Sequence, residues 1–176
     1  MSSTSGGCTN TNILNDGGFE GGPGGVVWTQ SSTNFGTPIC DVASCGMGGG
    51  SGPATGNYWV WIGGVGLSSI LPETASVEQF LTIPASSMAT LQFKLQIPVC
   101  DSFFDEFAIG LDGNPLFYRD GSDVTCGQTT YQQHSINISS YADGLSHHLQ
   151  IIGDNESVLF GATNFFVDDV QLIVCL

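Results

Sequence analysis

The last apolar run of the chain, residues 164–175, contains a carboxylate at a position where it could bind a metal ion. Apolar side chains recur in this run at every second position, the spacing of one face of a β-strand: Phe166, Val170, Leu172 and Val174. Asp168 falls in the same series, and an ionised carboxylate that faces a core is costly unless it is paired or coordinates a metal. Because the chain contains only two Lys and Arg residues, the pattern predicts a closing strand that brings Asp168 to a buried calcium ion.

The charge balance of the whole chain points in the same direction. Sixteen acidic residues against two basic ones give a formal net charge of −14. Nucleic acids are excluded as partners because phosphate binding needs clustered Lys and Arg, and anionic membrane surfaces are disfavoured for the same reason. No apolar run is long enough for a transmembrane helix, so membrane insertion is not expected. The acidity favours divalent cations, although solubility is a sufficient explanation for most of the carboxylates.

Six cysteines, an even number, are spread along the chain without the close spacing of a zinc site. This pattern predicts disulfides and therefore an oxidising, extracellular compartment; a cytosolic protein with six free thiols is the alternative. Terminal strands that neighbour each other would explain one pair, a short loop closure a second, and adjacent strands or loops a third. Among the several connectivities that are open, the preferred pairs are Cys8–Cys175, Cys40–Cys45 and Cys100–Cys126.

Short runs of β-branched, aromatic and alternating residues, separated by Gly, Pro, Asn and Asp, predict a series of strands and no helix. The strand candidates are residues 13–14, 26–30, 58–62, 75–83, 89–97, 104–111, 115–118, 131–138, 147–152, 158–160 and 164–175. Residues 31–56 lack periodicity and are expected to form a long loop that the cysteines at 40 and 45 staple. We therefore expect an all-β fold, a two-sheet antiparallel jelly-roll β-sandwich with disulfides. It should span residues 13–176, behind a polar arm at residues 1–12.

Several stretches of the sequence resemble those of a known class of module. They are Leu14-Asn15-Asp16-Gly17-Gly18-Phe19-Glu20 followed by Trp28, Gly56-Asn57-Tyr58-Trp59-Val60-Trp61-Ile62-Gly63-Gly64, Ile138-Ser139-Ser140-Tyr141-Ala142-Asp143-Gly144 and Phe166-Val167-Asp168-Asp169-Val170. Together they are similar to the jelly-roll modules of secreted bacterial proteins, such as the family 4/9 type of carbohydrate-binding modules and galactose-binding-like domains. The resemblance covers residues 13–174. It implies an accessory module on an extracellular hydrolase or surface protein.

The resemblance also implies a structural calcium ion on the convex side of the sandwich, bound by the first loop and the closing strand. Carried over residue by residue, the ligands are Glu20 and Asp168, with Asp16, Asn57 and Asp169 as further candidates. Calcium takes about six to eight oxygen ligands, often including backbone carbonyls, and the glycines after Glu20 allow the backbone to approach an ion closely. The alternative is that Glu20 is an ordinary surface carboxylate.

Sugar recognition needs aromatic faces that stack on pyranose rings and planar polar groups that bind hydroxyls. A platform of Trp28, Trp59 and Trp61 is one prediction for the sugar-binding site, and burial of these three side chains in the core is the alternative. Gln92 and Gln96 lie on the polar side of a predicted strand and are candidate hydroxyl-binding amides. The resemblance leads us to expect a glycan or cell-surface polysaccharide as the partner.

The groups required for catalysis are largely missing. No Gly-x-Ser-x-Gly nucleophile motif occurs. Asp101, Asp105 and Glu106 form an acidic cluster that is expected to line a loop or to hold a second cation rather than to act as a glycosidase acid and base. We therefore expect no enzymatic activity. The alternative function is a self-assembling extracellular protein (a filament, surface-layer or adhesin subunit) whose polar arm at residues 2–12 adds as a strand to a neighbour's sheet.

Overall fold

A computed structural model describes residues 8–64, 71–101, 104–156 and 162–176. In chain order the strands are β1 (Asn10–Asn12), β2 (Thr29–Ser32), β3 (Ile39–Asp41), β4 (Tyr58–Ile62), β5 (Glu73–Thr82), β6 (Ala89–Val99), β7 (Glu106–Leu111), β8 (Asn114–Asp120), β9 (Gln132–Asn137), β10 (Ser146–Asn155) and β11 (Asn164–Cys175). A short helix, α1 (Val42–Cys45), follows β3, and a 3-10 turn, Ser139–Tyr141, follows β9. The strand predicted at residues 158–160 lies outside the described residues.

The strands form two antiparallel sheets that pack face to face. The first sheet has the order β3-β4-β11-β6-β9, with β1 also paired to β11, and the second has the order β2-β5-β10-β7-β8. Side chains that alternate along the strands fill the space between the sheets. Fully buried examples from both sheets are Ile62, Val77, Phe93, Ile109, Ile151 and Val167. The predicted all-β, two-sheet antiparallel jelly-roll sandwich is confirmed.

The region predicted as one long loop, residues 31–56, contains the end of β2, strand β3 and helix α1. Strand β3 is difficult to recognise from sequence because its three residues are too few to show an alternating pattern, although Ile39 and Cys40 are both buried. The first strand is also displaced from its predicted place, since residues 10–12 pair with β11. These last residues of the predicted arm therefore belong to the first sheet.

A β-bulge in β11 changes which side chains of the closing strand face the core. The pairing of β11 with β6 shifts register between Asp168 and Gln171, and Asp169 has a positive φ of 51°. The core-facing side chains are Phe165 and Val167 before the bulge, and Val170, Leu172 and Val174 after it. Asp168 consequently lies on the outer side of the sheet. The prediction that it shares one core-facing row with Phe166, Val170, Leu172 and Val174 was wrong, because the bulge interrupts the two-residue period and leaves both Phe166 and Asp168 on the outer side.

The outer face of the first sheet is covered by the glycine-rich loop that follows α1. Trp59, Trp61 and Phe166 belong to a second apolar cluster, separate from the main core. A Cβ atom on Gly48 would lie 2.3 Å from the Trp61 ring, and one on Gly50 would lie 2.4 Å from the Phe166 ring. Only glycine allows the loop to approach these rings so closely. The aromatic outer surface of this sheet is therefore buried.

Three disulfides are present, and they are the pairs that were preferred from the sequence. Cys8–Cys175 ties the residue ahead of β1 to the end of β11, Cys40–Cys45 spans α1, and Cys100–Cys126 connects the end of β6 to the loop after β8. No cysteine in the described part of the chain is free. Disulfides of this kind persist in oxidising compartments.

We expect the three disulfides to stabilise the fold unequally. They close loops with sequence separations of 167, 26 and 5 residues, and loop-closure entropy then gives about 5, about 3.5 and about 2 kcal/mol respectively. Thermal melting of the double variants Cys8→Ser/Cys175→Ser and Cys40→Ser/Cys45→Ser measures the two extremes. The first variant should lower the midpoint clearly more than the second. Equal losses would contradict this entropic ranking.

Candidate functional site

Asp168 holds the backbone of a neighbouring loop. Its side chain is fully buried, and its Oδ2 accepts hydrogen bonds from the backbone amides of Ala54 (2.7 Å) and Thr55 (3.0 Å). Its Oδ1 accepts one from the amide of Asp169 at 2.7 Å. Burial raises the pKa of Asp168 to about 6. The nearby charge of Asp169 adds to this increase, and the backbone hydrogen bonds partly offset it. A buried negative charge therefore sits under this loop.

Glu20 holds the same loop from its other end. Its Oε1 accepts hydrogen bonds from the backbone amides of Asn57 (2.9 Å) and Tyr58 (3.1 Å), and its Oε2 accepts one from the Asn57 side chain at 3.3 Å. A Cβ atom on Gly56 would lie 2.2 Å from Glu20 Oε1, so the glycine is needed for this approach. The structure thus brings the two leading calcium candidates, Glu20 and Asp168, to one loop.

The other candidates divide between this loop and a second position. Asp169 accepts a hydrogen bond from the Thr55 hydroxyl at 2.6 Å and forms an ion pair with Lys94 at 2.7 Å. Asp16 instead accepts the backbone amide of Gly21, at 3.3 and 3.1 Å from its two oxygens. Asp16 therefore stabilises the turn between residues 16 and 21.

The fit of this region to calcium is partial. Glu20, Asp168 and Asp169 all contact the loop from Ala54 to Tyr58, and Lys94 pairs with Asp169. In the ranges the structure describes, however, no three Asp, Glu, His or Cys side chains are arranged to hold one metal ion. Backbone carbonyls would have to supply much of a calcium shell, as they often do.

The predicted tryptophan platform is wrong, because the exposed fractions of Trp28, Trp59 and Trp61 are only 4%, 0% and 9%. Trp28 packs in the main core and donates its indole hydrogen to the backbone oxygen of Asp16 at 2.8 Å. Trp59 and Trp61 face the outer side of β4 and lie in the second apolar cluster. Trp61 also donates to the Asn164 side chain at 3.0 Å. The alternative reading, burial, is the correct one.

The two predicted glutamines also have different environments. Gln96 is 1% exposed, and its Oε1 accepts hydrogen bonds from the backbone amide and hydroxyl of Ser51. Its amide nitrogen donates to the carbonyl of Gln128 at 3.2 Å. Gln96 therefore fastens the covering loop and is not available to a ligand. Gln92 is half-buried on β6, opposite Gln171 of β11.

The outer surface of the second sheet has a different character, and we call it the open face. Its side chains are those at alternate positions of five strands: Thr29 and Ser31 of β2, Thr74, Ser76, Glu78, Phe80 and Thr82 of β5, Ser146, His148, Gln150, Ile152 and Asp154 of β10, Glu106, Ala108 and Gly110 of β7, and Tyr118 and Asp120 of β8. Phe80 is 73% exposed and Tyr118 is 45% exposed. Aromatic rings thus reach solvent on this face.

Phe80 lies in a small cluster with defined geometry. Its ring stacks on the imidazole of His148, the residue opposite it on β10, with 4.2 Å between centroids and 6° between planes. His148 Nε2 lies 3.0 Å from Glu78 Oε2, and Glu78 Oε1 accepts the Ser76 hydroxyl at 3.0 Å. The cluster offers an apolar ring beside carboxylate oxygens, the two kinds of group that bind a pyranose face and its hydroxyls.

Tyr118 marks the opposite corner of the open face. Its hydroxyl donates to Glu106 Oε1 at 2.7 Å, and this hydrogen bond, with burial and negative charges adding to it, raises the pKa of Tyr118 to about 12. Tyr118 and Phe80 are three strand spacings apart across the sheet and four residues apart along it, which is roughly 20 Å. Two strands lie between them: β7 presents the small Ala108 and Gly110, and β10 presents Gln150 and Ile152. A ligand of several sugar rings can lie between the two aromatic residues.

The charged groups of the open face are acidic. Both basic side chains of the chain are engaged elsewhere: Lys94 with Asp169, and Arg119 with Asp123 at 2.8 Å, over the ring of Phe117 at 4.1 Å. The carboxylates of the open face can accept hydrogen bonds from groups such as hydroxyls and would repel anions.

A separate cleft of about 350 Å³ lies at one side of the sandwich. It is lined by residues of β2 to β5 and their connections, among them Pro23, Phe35, Pro38, Trp61 and Glu73. Glu73 is 2% exposed and accepts hydrogen bonds from the backbone and side chain of Asn34 at 2.8 and 2.7 Å. The edge of Trp61 thus borders a cavity, although the cleft offers mostly apolar walls.

A second histidine stabilises the corner of the sheet next to His148. The two ring nitrogens of His147 lie 2.7 Å from Asp112 Oδ2 and 3.0 Å from Asp143 Oδ1. Burial lowers the pKa of His147, but the hydrogen bonds and charges of the two carboxylates outweigh it and the net shift is upward. The contact with His147 lowers the pKa of Asp112, and the backbone amide of Leu145 together with His147 lowers the pKa of Asp143. The two carboxylates thus favour the imidazolium form of His147 relative to an imidazole in water.

This arrangement predicts a pH-dependent contribution to stability. An imidazole whose pKa is raised on folding contributes to stability. This contribution is fully present below the pKa of the unfolded chain, about 6.5, and is lost as pH rises through the pKa of the folded protein. His147→Gln should therefore lower the melting midpoint more at pH 5.5 than at pH 9. The control is His134→Gln. Burial and Arg119 lower the pKa of His134, so this replacement should raise the melting midpoint, and the rise should be largest at low pH. Equal losses for His147→Gln at both pH values would contradict the prediction.

The acidic cluster considered for catalysis is divided between two sides of a strand. Asp105 is fully buried and its Oδ2 accepts the backbone amide of Thr163 at 2.8 Å, whereas Glu106 is exposed and accepts the Tyr118 hydroxyl. These two carboxylates do not face each other as an acid and base pair would. Phe104, part of the tip noted in the sequence, is 56% exposed; Phe103 lies outside the described residues.

Sequence reasoning missed Phe80, His148 and Tyr118 as candidate binding residues. A signal was available for Phe80, which falls in the series Ser76, Glu78 and Thr82 on the polar side of an alternating strand. An aromatic side chain in a polar row is an exposed one. Its pairing with His148 and its distance from Tyr118 depend on strand order, which the local pattern does not contain.

No model of a known protein family and no curated protein matches the chain. Solved structures do match. The carbohydrate-binding module TmCBM61, solved in complex with β-1,4-galactotriose, has a TM-score of 0.61 and 16% identity over 93% of this chain and 99% of its own. A family 16 carbohydrate-binding module has a TM-score of 0.52 and 17% identity, over 92% and 99% of the two chains.

An enzyme shares the same architecture. A Stig cyclase from Fischerella sp. TAU, solved with an indole compound, has a TM-score of 0.53 and 14% identity over 94% of this chain and 98% of its own. The fold therefore carries more than one activity in other proteins. Within the described ranges, no helix has both the length and the apolar character needed to cross a membrane. At these identities the comparisons establish the fold: this chain has the jelly-roll β-sandwich of carbohydrate-binding modules.

Proposed function

We propose that the protein is a secreted, non-catalytic glycan-binding module and that the open face is its binding surface. The observation that carries this proposal is the exposed Phe80 ring, stacked on His148 on a polar sheet surface. Glu78 and Gln150 provide planar hydrogen-bonding groups near it, and Tyr118 with Glu106 provides a second aromatic and polar contact at the opposite corner. Binding sites for sugars need this combination of an apolar ring and convergent polar groups.

The likeness of fold supports the proposal. The TmCBM61 structure matched here contains bound β-1,4-galactotriose, so a sandwich of this kind can present a surface to an oligosaccharide. Secretion is supported by the three disulfides, which suit an oxidising compartment. The division of Asp105 and Glu106 between two sides of the sheet supports a binding role over a hydrolytic one.

A structural calcium ion is part of the proposal. It is supported by the convergence of Glu20, Asp168 and Asp169 on the loop from Ala54 to Tyr58, with Lys94 paired to Asp169. A divalent cation there would offset the buried charge of Asp168. It would hold the loop on the outer side of the first sheet, away from the open face.

The test is a binding screen of the intact protein with an array of neutral oligosaccharides, including β-1,4-galactan and mixed-linked β-1,3-1,4-glucan fragments, followed by isothermal titration of the best ligand. Saturable binding of at least one oligosaccharide supports the proposal. A protein that is folded by circular dichroism and binds no glycan in the array contradicts it.

Self-assembly is the competing proposal for the chain. Residues 10–12 pair with β11 of the same chain and Cys8 is bonded to Cys175, so this part of the arm is not free to join a neighbour's sheet. Size-exclusion chromatography with light scattering distinguishes the two functions. A monomer that binds a glycan supports the module, whereas large assemblies without glycan binding support the filament or surface-layer subunit.

A further inference from the structure

The proposed glycan site, on which this inference depends, uses an aromatic ring that is covered on one side. The imidazole of His148 lies parallel to the Phe80 ring at a centroid distance of 4.2 Å. One face of Phe80 is thus occupied by His148, and a pyranose ring can stack on the other. We propose that His148 is a positioning residue for glycan binding, which holds the Phe80 ring in the orientation that the sugar requires.

His148 is itself held by a strand residue and by a turn residue. Its Nε2 lies 3.0 Å from Oε2 of Glu78 on β5, and its backbone amide donates to Oδ1 of Asp112, in the turn after β7, at 2.8 Å. Glu78 is in turn fixed by the hydroxyl of Ser76, which donates to its Oε1 at 3.0 Å. The Glu78 contact restrains the imidazole ring and the Asp112 contact restrains its backbone, and neither involves Phe80. Ser76 thus restrains Glu78, Glu78 restrains the His148 ring, and the His148 ring restrains the exposed ring of Phe80.

The stack matters because Phe80 has little else to restrict it. With 73% of its surface exposed, the ring makes few contacts with the sheet beneath it. A side chain that rotates freely in the unbound protein loses that freedom when a ligand binds, and the loss weakens binding. A ring already held by His148 avoids most of this cost. His148 thus acts through Phe80 and needs no contact with the sugar.

The experiment compares wild type, His148→Ala and His148→Phe, with β-1,4-galactotriose and a β-1,3-1,4-mixed-linked tetrasaccharide as the probes. His148→Ala removes the stack and should weaken binding about five-fold, the size expected for ordering one aromatic side chain. His148→Phe restores a flat ring against Phe80 and should recover affinity to within about two-fold of wild type. A residue that contacts the sugar through its imidazole nitrogen would not be rescued in this way.

An NMR signature tests the geometry without a ligand. The carbon-bound imidazole protons of His148 should show upfield ring-current shifts in the wild-type protein, and Phe80→Leu should remove them. His147, which faces Asp112 and Asp143 instead, is the internal reference. Absence of the shift overturns the inference, as does unchanged affinity in His148→Ala or a failure of His148→Phe to bind better than His148→Ala. If wild type binds neither probe nor any other glycan of the array, the proposed function fails and this inference fails with it.

Discussion

Phe80→Ala is expected to remove most of the glycan affinity while leaving the fold unchanged. A central aromatic contact in a binding site is typically worth at least about 2 kcal/mol, which is roughly a thirty-fold loss of affinity. Because the ring is 73% exposed, its loss should change the melting midpoint by less than about 2 °C. Isothermal titration of the variant with the best ligand from the array, together with a thermal melt, measures both quantities.

Phe35→Ala is the matched control for this prediction. Phe35 is also an exposed phenylalanine, at 43%, but it lines the separate cleft at the side of the sandwich. Its replacement should leave glycan affinity within about two-fold of wild type. If Phe35→Ala abolishes binding and Phe80→Ala does not, the sugar binds in the cleft and the open face has been wrongly assigned.

Removal of calcium is expected to lower the melting midpoint by roughly 5–10 °C. A ligand bound only by the native state, present at about 100 times its dissociation constant, stabilises a protein by about 2.7 kcal/mol, and each kcal/mol is worth about 2–4 °C for a chain of this length. Glu20→Gln and Asp168→Asn should each abolish the difference between melts in calcium and in EDTA. The control is Glu156→Gln, an exposed carboxylate after β10, which should retain it.

These variants distinguish a metal site from a loop that is held by hydrogen bonds alone. Asp168→Asn loses the carboxylate that accepts the amides of Ala54, Thr55 and Asp169, so it should destabilise the fold with or without calcium. Only a metal site makes the wild-type protein sensitive to EDTA. A wild-type midpoint that is identical in calcium and in EDTA would show that the amide hydrogen bonds suffice and that no calcium is bound.

The sequence predicted the sandwich well where a strand alternates regularly or is a continuous apolar run. Residues 89–97 correspond closely to β6 because buried positions alternate along most of it, and residues 58–62 coincide with β4 because they are an unbroken aromatic and β-branched run. Strand β3 escaped prediction because three residues carry no pattern. The bulge at Asp169 escaped prediction because a positive φ at an aspartate is a local exception that the alternation of neighbouring residues does not reveal.

The candidate site was less predictable than the fold, for a physical reason. The tryptophans were expected on a surface because Trp59 and Trp61 alternate with Val60, but the glycine-rich loop covers their face of β4 while the main core covers the other. That loop lies next to β4 only in three dimensions. Phe80 and His148 are 68 positions apart in the chain and meet because β5 pairs with β10. Contacts of this range depend on strand order, which local patterns do not encode.

The central claim, that glycan binds on the open face, is tested most directly by amide chemical-shift mapping of the protein during titration with its best oligosaccharide. The account predicts that the shifts concentrate on Glu78, Phe80, His148 and Gln150, and extend to Ala108, Gly110 and Tyr118 across the sheet. Phe35, Trp61 and Glu73 at the cleft should stay unchanged. Shifts confined to the cleft, or to the loop held by Glu20 and Asp168, would contradict the account.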